Sequence, residues 1–247
     1  MSLLSARSLT HRFANGNIGV RDLSIDVKHD ELLLIAGKNG SGKSVLMLHF
    51  VALLEPTAGE ILLDGAPISS RVPELRRRVG IVFQNPQSQF LGQTVHEDVG
   101  FGLEYEGIDS GEIEQRISGS LATMGISDLA ERRPHYLSGG EQRKAALAAI
   151  LARKPDVLIL DEPFIGLDLG GVQSILNSIL ELKALGHGVV VITHDVEKVL
   201  AHADRMAIMD EGRVVADGEP SEIADELGAN GIRTPRGSIE RMSWLVS

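Results

Sequence analysis

The chain contains no cysteine, which excludes disulfides, thiolate zinc sites and iron–sulfur clusters by composition alone. Basic residues are outnumbered, 24 Lys and Arg against 34 Asp and Glu, for a net charge of −10. A free nucleic-acid binder usually presents a basic face, so no nucleic-acid partner is expected. Long apolar runs are also missing. Stretches such as Val-Leu-Ile-Leu at 157–160 fall far short of the ~20 residues that span a bilayer. The opening MSLLSARSLTHRF lacks the basic-then-apolar order of a secretory signal. The expectation is a soluble chain on the cytoplasmic side. Aromatic residues make up only 4% of the sequence against 27 glycines, a balance that favours turns and close backbone approaches.

What is present is ordinary globular material. The chain has 247 residues, 43% hydrophobic and 23% charged, enough for one large α/β domain or two small ones. Short strands with turns are read at 3–9, 23–27 and 31–35. Within and just past the last, 32–36 is continuously apolar, as in a strand covered on both faces. A glycine-rich turn and a helix at roughly 43–54 follow, then a hairpin-like stretch at 59–64 and a strand at 79–83. From about 85 to 150 the character is helical, including 111–124 and an alanine-rich helix at 140–153. Strand and helix then alternate: 157–160, 170–185, 189–193, 196–201, 205–209 and 213–216. That alternation implies an α/β fold with a mainly parallel sheet. Residues 1–220 form the main unit with the helical insertion at about 85–150. Residues 221–247 form a C-terminal helix and tail.

The strongest chemical signal is Gly37-Lys38-Asn39-Gly40-Ser41-Gly42-Lys43-Ser44, set between the apolar strand and a helix. It fits G-x-x-x-x-G-K-[ST], in which backbone N–H groups and a helix N-terminus cradle phosphates. Lys43 is placed to reach the outer phosphates, and Ser44 to ligate magnesium. A second signal is Asp161-Glu162 at the end of the strand at 157–160, where ligands bind in open α/β sheets. Asp161 fits a magnesium partner of Ser44. Glu162 fits a general base for an attacking water. The bland reading of this pair, an acidic turn before the next helix, loses ground once the phosphate loop is counted. Leu137-Ser138-Gly139-Gly140-Glu141 opens the alanine-rich helix. Alone it is an ordinary cap; beside the other motifs it reads as a second anion site.

The ordered set GKNGSGKS, Gln84, LSGGE, VLILDE, Asp168 and His194 resembles the ATP-binding-cassette family over residues 1–220. LSGG separates that family from other phosphate-loop proteins. The resemblance implies a P-loop NTPase fold with an N-terminal antiparallel β subdomain, and ATP and Mg2+ as ligands. It implies a dimer in which each ATP lies between one subunit's phosphate loop and the other's Ser138, Gly139 and Gly140. By motif, Gln84 is the lid glutamine that contacts magnesium, Asp168 links the two sites, and His194 holds the γ-phosphate. Phe13 sits where the family stacks an aromatic on adenine, or is a core phenylalanine near a strand end. Glu141 stands where glutamine is commoner, and Arg143-Lys144 replaces a glutamine–arginine pair.

The stretch Phe83-Gln84-Asn85-Pro86-Gln87-Ser88-Gln89-Phe90-Leu91, followed by Glu97-Asp98-Val99, is similar to ATPases of energy-coupling-factor importers of vitamins or transition-metal ions. That branch implies a second cassette (identical or related), a membrane coupling protein and a substrate-binding membrane protein, at the cytoplasmic face of the cell membrane. The surface around 84–90, with Phe90-Leu91 as apolar anchor, is expected to be the socket, unless Phe90 simply packs inward. A conventional transporter ATPase and a non-transport member of the family are the alternatives. Translation factors of the family carry two cassettes and its repair ATPases long coiled coils, and this sequence has neither; a cytosolic iron–sulfur-assembly ATPase is a third option, which the lack of cysteine does not exclude.

Overall fold

Every residue of the strand Leu32–Ala36 is buried and apolar, and its side chains divide by parity between two cores. Leu33 and Ile35 join one hydrophobic cluster, whereas Leu32, Leu34 and Ala36 join the other. A strand alternates its side chains between faces, so an unbroken apolar run marks a sheet covered on both sides. The computed structural model describes residues 2–235, 237–239 and 242–245.

In chain order the elements are β1 (Ser2–Arg12), β2 (Ile18–Lys28), β3 (Leu32–Ala36), α1 (Lys43–Phe50), β4 (Ala58–Leu63), β5 (Ala66–Pro67), α2 (Val72–Arg78) and β6 (Val79–Val82). Then follow α3 (Val95–Tyr105), α4 (Ser110–Thr123), α5 (Gly139–Leu151), β7 (Val157–Asp161), α6 (Leu169–Ala184), β8 (Gly188–Thr193), β9 (Arg205–Asp210), β10 (Arg213–Gly218) and α7 (Pro220–Ile223). The strands form two sheets, a four-stranded one ordered β2-β1-β4-β5 and a six-stranded one ordered β10-β9-β3-β8-β7-β6. The first is antiparallel. In the second all neighbours are parallel except β9 and β10. One core lies between the sheets and around α1, on Leu4, Leu9, Val20, Leu46 and Phe50. The other is filled by α3 to α6 on the opposite face of the large sheet. The mainly parallel α/β architecture with an N-terminal antiparallel sheet is therefore as expected.

Three details differ from the expectation. The segment 72–78 is helical, although only Leu75 of it is buried. The stretch 196–201 is two 3-10 turns, Val196–Lys198 and Leu200–His202, instead of one α-helix. The helix after the phosphate loop ends at Phe50. Helix α5 packs on β6 and α6 as well as on α3 and α4, so it belongs to the main body as much as to the helical insertion. Beyond residue 220, Leu227 and Ile232 are buried in the helical-side core.

The topology decides where chemistry can sit. Strands β3, β7 and β8 are parallel and adjacent, so the segments leaving their carboxyl ends converge on one edge. Those segments carry the phosphate loop, Asp161-Glu162 and His194, and the stretch holding Gln84 leaves neighbouring β6 at the same edge. Open α/β sheets bind ligands at that edge.

Candidate functional site

A cavity of about 320 Å³ opens at this edge, lined among others by Phe13, Asn39, Gly40, Gly42, Lys43, Ser44, Gln84, Asp161 and Glu162. The turn from β3 into α1 gives it its floor. Gly42 caps α1 at φ 101°, a left-handed backbone that suits glycine, and a Cβ there would lie 2.5 Å from Gly19 O. The N–H groups of Gly40, Gly42, Lys43 and Ser44 find no acceptor among the described residues. Four unpartnered donors at a helix start form a site for anionic oxygens. Lys43 is buried, and its Nζ donates to Gly37 O at 2.5 Å and to Lys38 O at 2.9 Å. The ammonium is thus held over the loop it is meant to serve.

The opposite wall is acidic. Asp161 makes no side-chain hydrogen bond or ion pair among the described residues. Burial, then the charge of Glu162, push its carboxyl above the usual aspartate range, with Lys43 opposing. Burial likewise pushes the Lys43 ammonium down, against the pull of Glu162 and Asp161. Both charges are short of solvation. A triphosphate beside Lys43 and a cation beside Asp161 would relieve them. Glu162 is buried, and its backbone takes φ 48°, an uncommon conformation for a residue with a side chain. Its Oε2 accepts from the Thr193 hydroxyl at 2.8 Å, and its Oε1 accepts from His194 N–H at 3.0 Å. His194 Nδ1 lies 2.6 Å from the same Oε1, so the imidazole and the carboxylate are one unit. The His194 side chain is 46% exposed, which leaves the ring open to solvent.

Phe13 is 39% exposed at the start of the turn between β1 and β2. It lines the cavity instead of packing in the core, and meets the His11 ring edge-on at 4.6 Å.

Ser138, Gly139, Gly140 and Asp168 are elsewhere. They line a second cleft of about 620 Å³ that shares no residue with the first. Ser138 caps α5 in a reciprocal box: Glu141 Oε2 accepts from Ser138 N–H at 2.7 Å, and Ser138 Oγ accepts from Glu141 N–H at 3.4 Å. Glu141 thus satisfies the cap N–H, a role that glutamine at this position fills as well. Asp168 caps α6, its Oδ1 accepting from Gly171 N–H at 2.8 Å. Arg143, in the sequence only a departure from a pattern, is buried and joins the two helix starts. Its Nη2 donates to Ile165 O at 2.5 Å and its Nη1 to Gly139 O at 3.3 Å. No periodicity announces that bridge; it depends on α5 and α6 packing side by side.

A phosphate cradle, a lysine, paired acids and a histidine at the carboxyl edge of a parallel sheet define a phosphate-loop nucleoside triphosphatase. The family model described as ABC transporter matches residues 20–165. The chain is 39% identical over 240 residues to the energy-coupling factor transporter ATP-binding protein EcfA of Methanothermobacter thermautotrophicus, covering 95% of this chain and 77% of that one. It is 41% identical over 239 residues to the cobalt import ATP-binding protein CbiO of Rhodobacter capsulatus, covering 94% and 85%. Among solved structures, CbiO1 of Clostridium perfringens, part of the ABC transporter complex CbiONQ, superposes with a TM-score of 0.85 at 35% identity, covering 92% of each chain. The chain belongs to the ABC transporter ATPase family. It is an ATP-binding, ATP-hydrolysing subunit of a transporter.

Proposed function

We propose that this chain powers an energy-coupling-factor-type importer of a vitamin or a transition-metal ion. It works as one of two cassettes docked on a membrane coupling protein, which in turn holds a substrate-binding membrane protein. Its place is then the cytoplasmic face of the cell membrane. No helix among the described residues is long and apolar enough to cross a membrane, so attachment falls to a docking surface.

The observation that carries this reading is a groove of about 480 Å³ between the loop after β6 and helices α3 and α4, lined by Leu91, His96, Glu97, Phe101, Glu104 and Ile113. The polar residues of the preceding stretch fold the loop. Gln89 Oε1 accepts from Phe83 N–H at 2.9 Å, and its Nε2 donates to Ile81 O at 3.1 Å. Asp98 Oδ1 accepts from Leu91 N–H at 2.6 Å and Gly92 N–H at 3.0 Å. Phe90 packs against the helical-side core, which was the inward alternative for that residue. Leu91 is turned out, 69% exposed, and lines the groove with Phe101, on whose ring the 89% exposed Tyr105 stacks at 6.5 Å. Exposed apolar clusters of this kind mark interaction sites. Their acidic border, Glu97, Glu104 and Glu114, suits an amphipathic helix with a basic flank.

Leu91→Asp combined with Phe101→Asp is therefore expected to cut copurification with the membrane partner at least tenfold. ATPase turnover of the free subunit should stay within about twofold, because neither residue lines the nucleotide cavity. Uptake of labelled cobalt, nickel or biotin by cells carrying the complex should fall with copurification. Complex assembly that survives both charges would place docking elsewhere. Recovery of ribosomes, DNA or assembly proteins in place of a membrane protein would move the chain to another branch of the family.

Within the cavity, Lys43 and the loop N–H groups bind the β- and γ-phosphates, and Phe13 stacks on the base. The residues present fit Mg2+ with its hard oxygen preference: the Ser44 hydroxyl, the Gln84 amide oxygen and the unpartnered Asp161 carboxylate would hold it. No group of three acidic or imidazole ligands occurs among the described residues, which suits an ion that arrives with phosphates. Bound there, Mg2+ would supply positive charge against the phosphates. Glu162 accepts the proton of the water that attacks the γ-phosphorus as the bond to the β-phosphate oxygen breaks. His194, held by Glu162, would hold the γ-phosphate. Ser138, Gly139 and Gly140 complete the site of a second cassette, and Asp168 lies beside them at the joint.

A further inference from the structure

The phosphate loop is gripped from behind by a turn that none of the motifs includes. Between β9 and β10 the chain reverses at Asp210-Glu211-Gly212, with Glu211 at φ 44° and Gly212 at φ 78°. Two consecutive left-handed residues make the tight hairpin turn that glycine favours. Gly212 N–H donates to Ser41 O at 3.0 Å, and Gly212 O accepts from Arg21 N–H at 2.8 Å. One residue thus joins the loop to β2, the strand beside the Phe13 turn. The fit is close: a Cβ on Gly42 would lie 3.2 Å from Gly212 Cα, and a Cβ on Gly37 would lie 2.7 Å from Met209 O. Lys38, the second residue of the loop, ion-pairs with Asp210 at 2.8 Å.

We propose that the β9–β10 turn, through Gly212, is a positioning element that holds the phosphate loop in its anion-receiving curve before nucleotide arrives. It touches no phosphate. Its hydrogen bond to Ser41 O fixes the peptide that precedes Gly42 and Lys43, so it acts through their N–H groups. Pre-setting those groups removes an ordering cost from binding. The effect should fall on nucleotide affinity and spare the chemical step. This inference rests on the nucleotide reading of the cavity.

A side chain at Gly212 would meet Gly19 O and Val20 Cα at 3.0 Å each. Gly212→Asn separates this contact from backbone strain, because asparagine accepts the left-handed conformation. Titration of the purified full chain with a fluorescent ATP analogue should show at least fivefold weaker binding for Gly212→Asn. Phosphate release should show KM raised by a similar factor with kcat within about twofold. Glu211→Gly, which leaves the hydrogen bonds of Gly212 in place, should bind within twofold of the parent. Gly212→Asn that binds ATP like the parent overturns the proposal, as does a loss of melting temperature without a loss of affinity. A Lys43→Ala control separates the two ideas. If Lys43→Ala also binds normally, the nucleotide reading of the cavity fails; if Lys43→Ala alone is defective, only the role of the turn fails.

Discussion

Replacing Glu162 by glutamine is expected to slow ATP hydrolysis by about 10²–10⁴-fold while leaving ATP binding intact. The amide keeps the size of the side chain, and its oxygen still accepts hydrogen bonds. It cannot take a proton from water. The surroundings of Glu162 argue for a geometry set by function. The residue is buried, holds a left-handed backbone, and is fixed by Thr193 and His194 on β8 and the residue just after it. Strain of that kind persists only where neighbouring structure over-determines it. Single-turnover phosphate release measures the effect. A loss of less than about tenfold would assign the base to another group.

Lys43→Ala is expected to weaken ATP binding by about 10²-fold or more. Hydrogen bonds to charged groups contribute roughly 1.5–3 kcal/mol each, and every 1.4 kcal/mol is about a factor of ten. Lys43 is the one lysine or arginine among the described residues lining the cavity, opposite Asp161 and Glu162. Without it, two carboxylates face the triphosphate uncompensated. The circular dichroism spectrum should be unchanged, because the loop loses only the bonds to Gly37 O and Lys38 O. Calorimetric titration with ATP gives the affinity. Turnover near the parent rate in this variant would remove Lys43 from the site.

Much of the site was legible because its chemistry is written in consecutive residues. GKNGSGKS lies between an apolar strand and a helix, and the strand at 157–160 ends in two acids; the parallel pairing of β3 and β7 with β8 brings both to one sheet edge. What escaped depends on partners distant in sequence. Helix α2 buries only Leu75. Its last residue is held from afar: Arg78 pairs with Asp64 and Asp156. No local period reports such ties. The division of strands into two sheets is likewise a matter of non-local pairing, as β1 lies between β2 and β4. The roles of Arg143 and Gly212 follow from contacts between elements. Phe90 and Leu91 could not be told apart as anchors until Asp98 was seen to fix the loop that turns Leu91 outward.

On the proposed reading, the cavity at the phosphate loop is half a site, completed by Ser138, Gly139 and Gly140 of a second cassette. That reading rests on two clefts that share no residue, each at the start of a helix. Gly139 offers a clean probe. A Cβ there would meet nothing closer than 3.6 Å in the free subunit, and a carboxylate in the first turn of α5 suits the helix dipole. Gly139→Asp should therefore fold normally while setting a negative charge against the triphosphate. The deciding measurement is size-exclusion chromatography with light scattering on the Glu162→Gln protein, with and without ATP and magnesium. The expected result is monomer without nucleotide, dimer with it, and monomer in both conditions once Gly139→Asp is added. A mass indifferent to ATP, or an ATP-dependent dimer that forms equally well with Gly139→Asp, would contradict it.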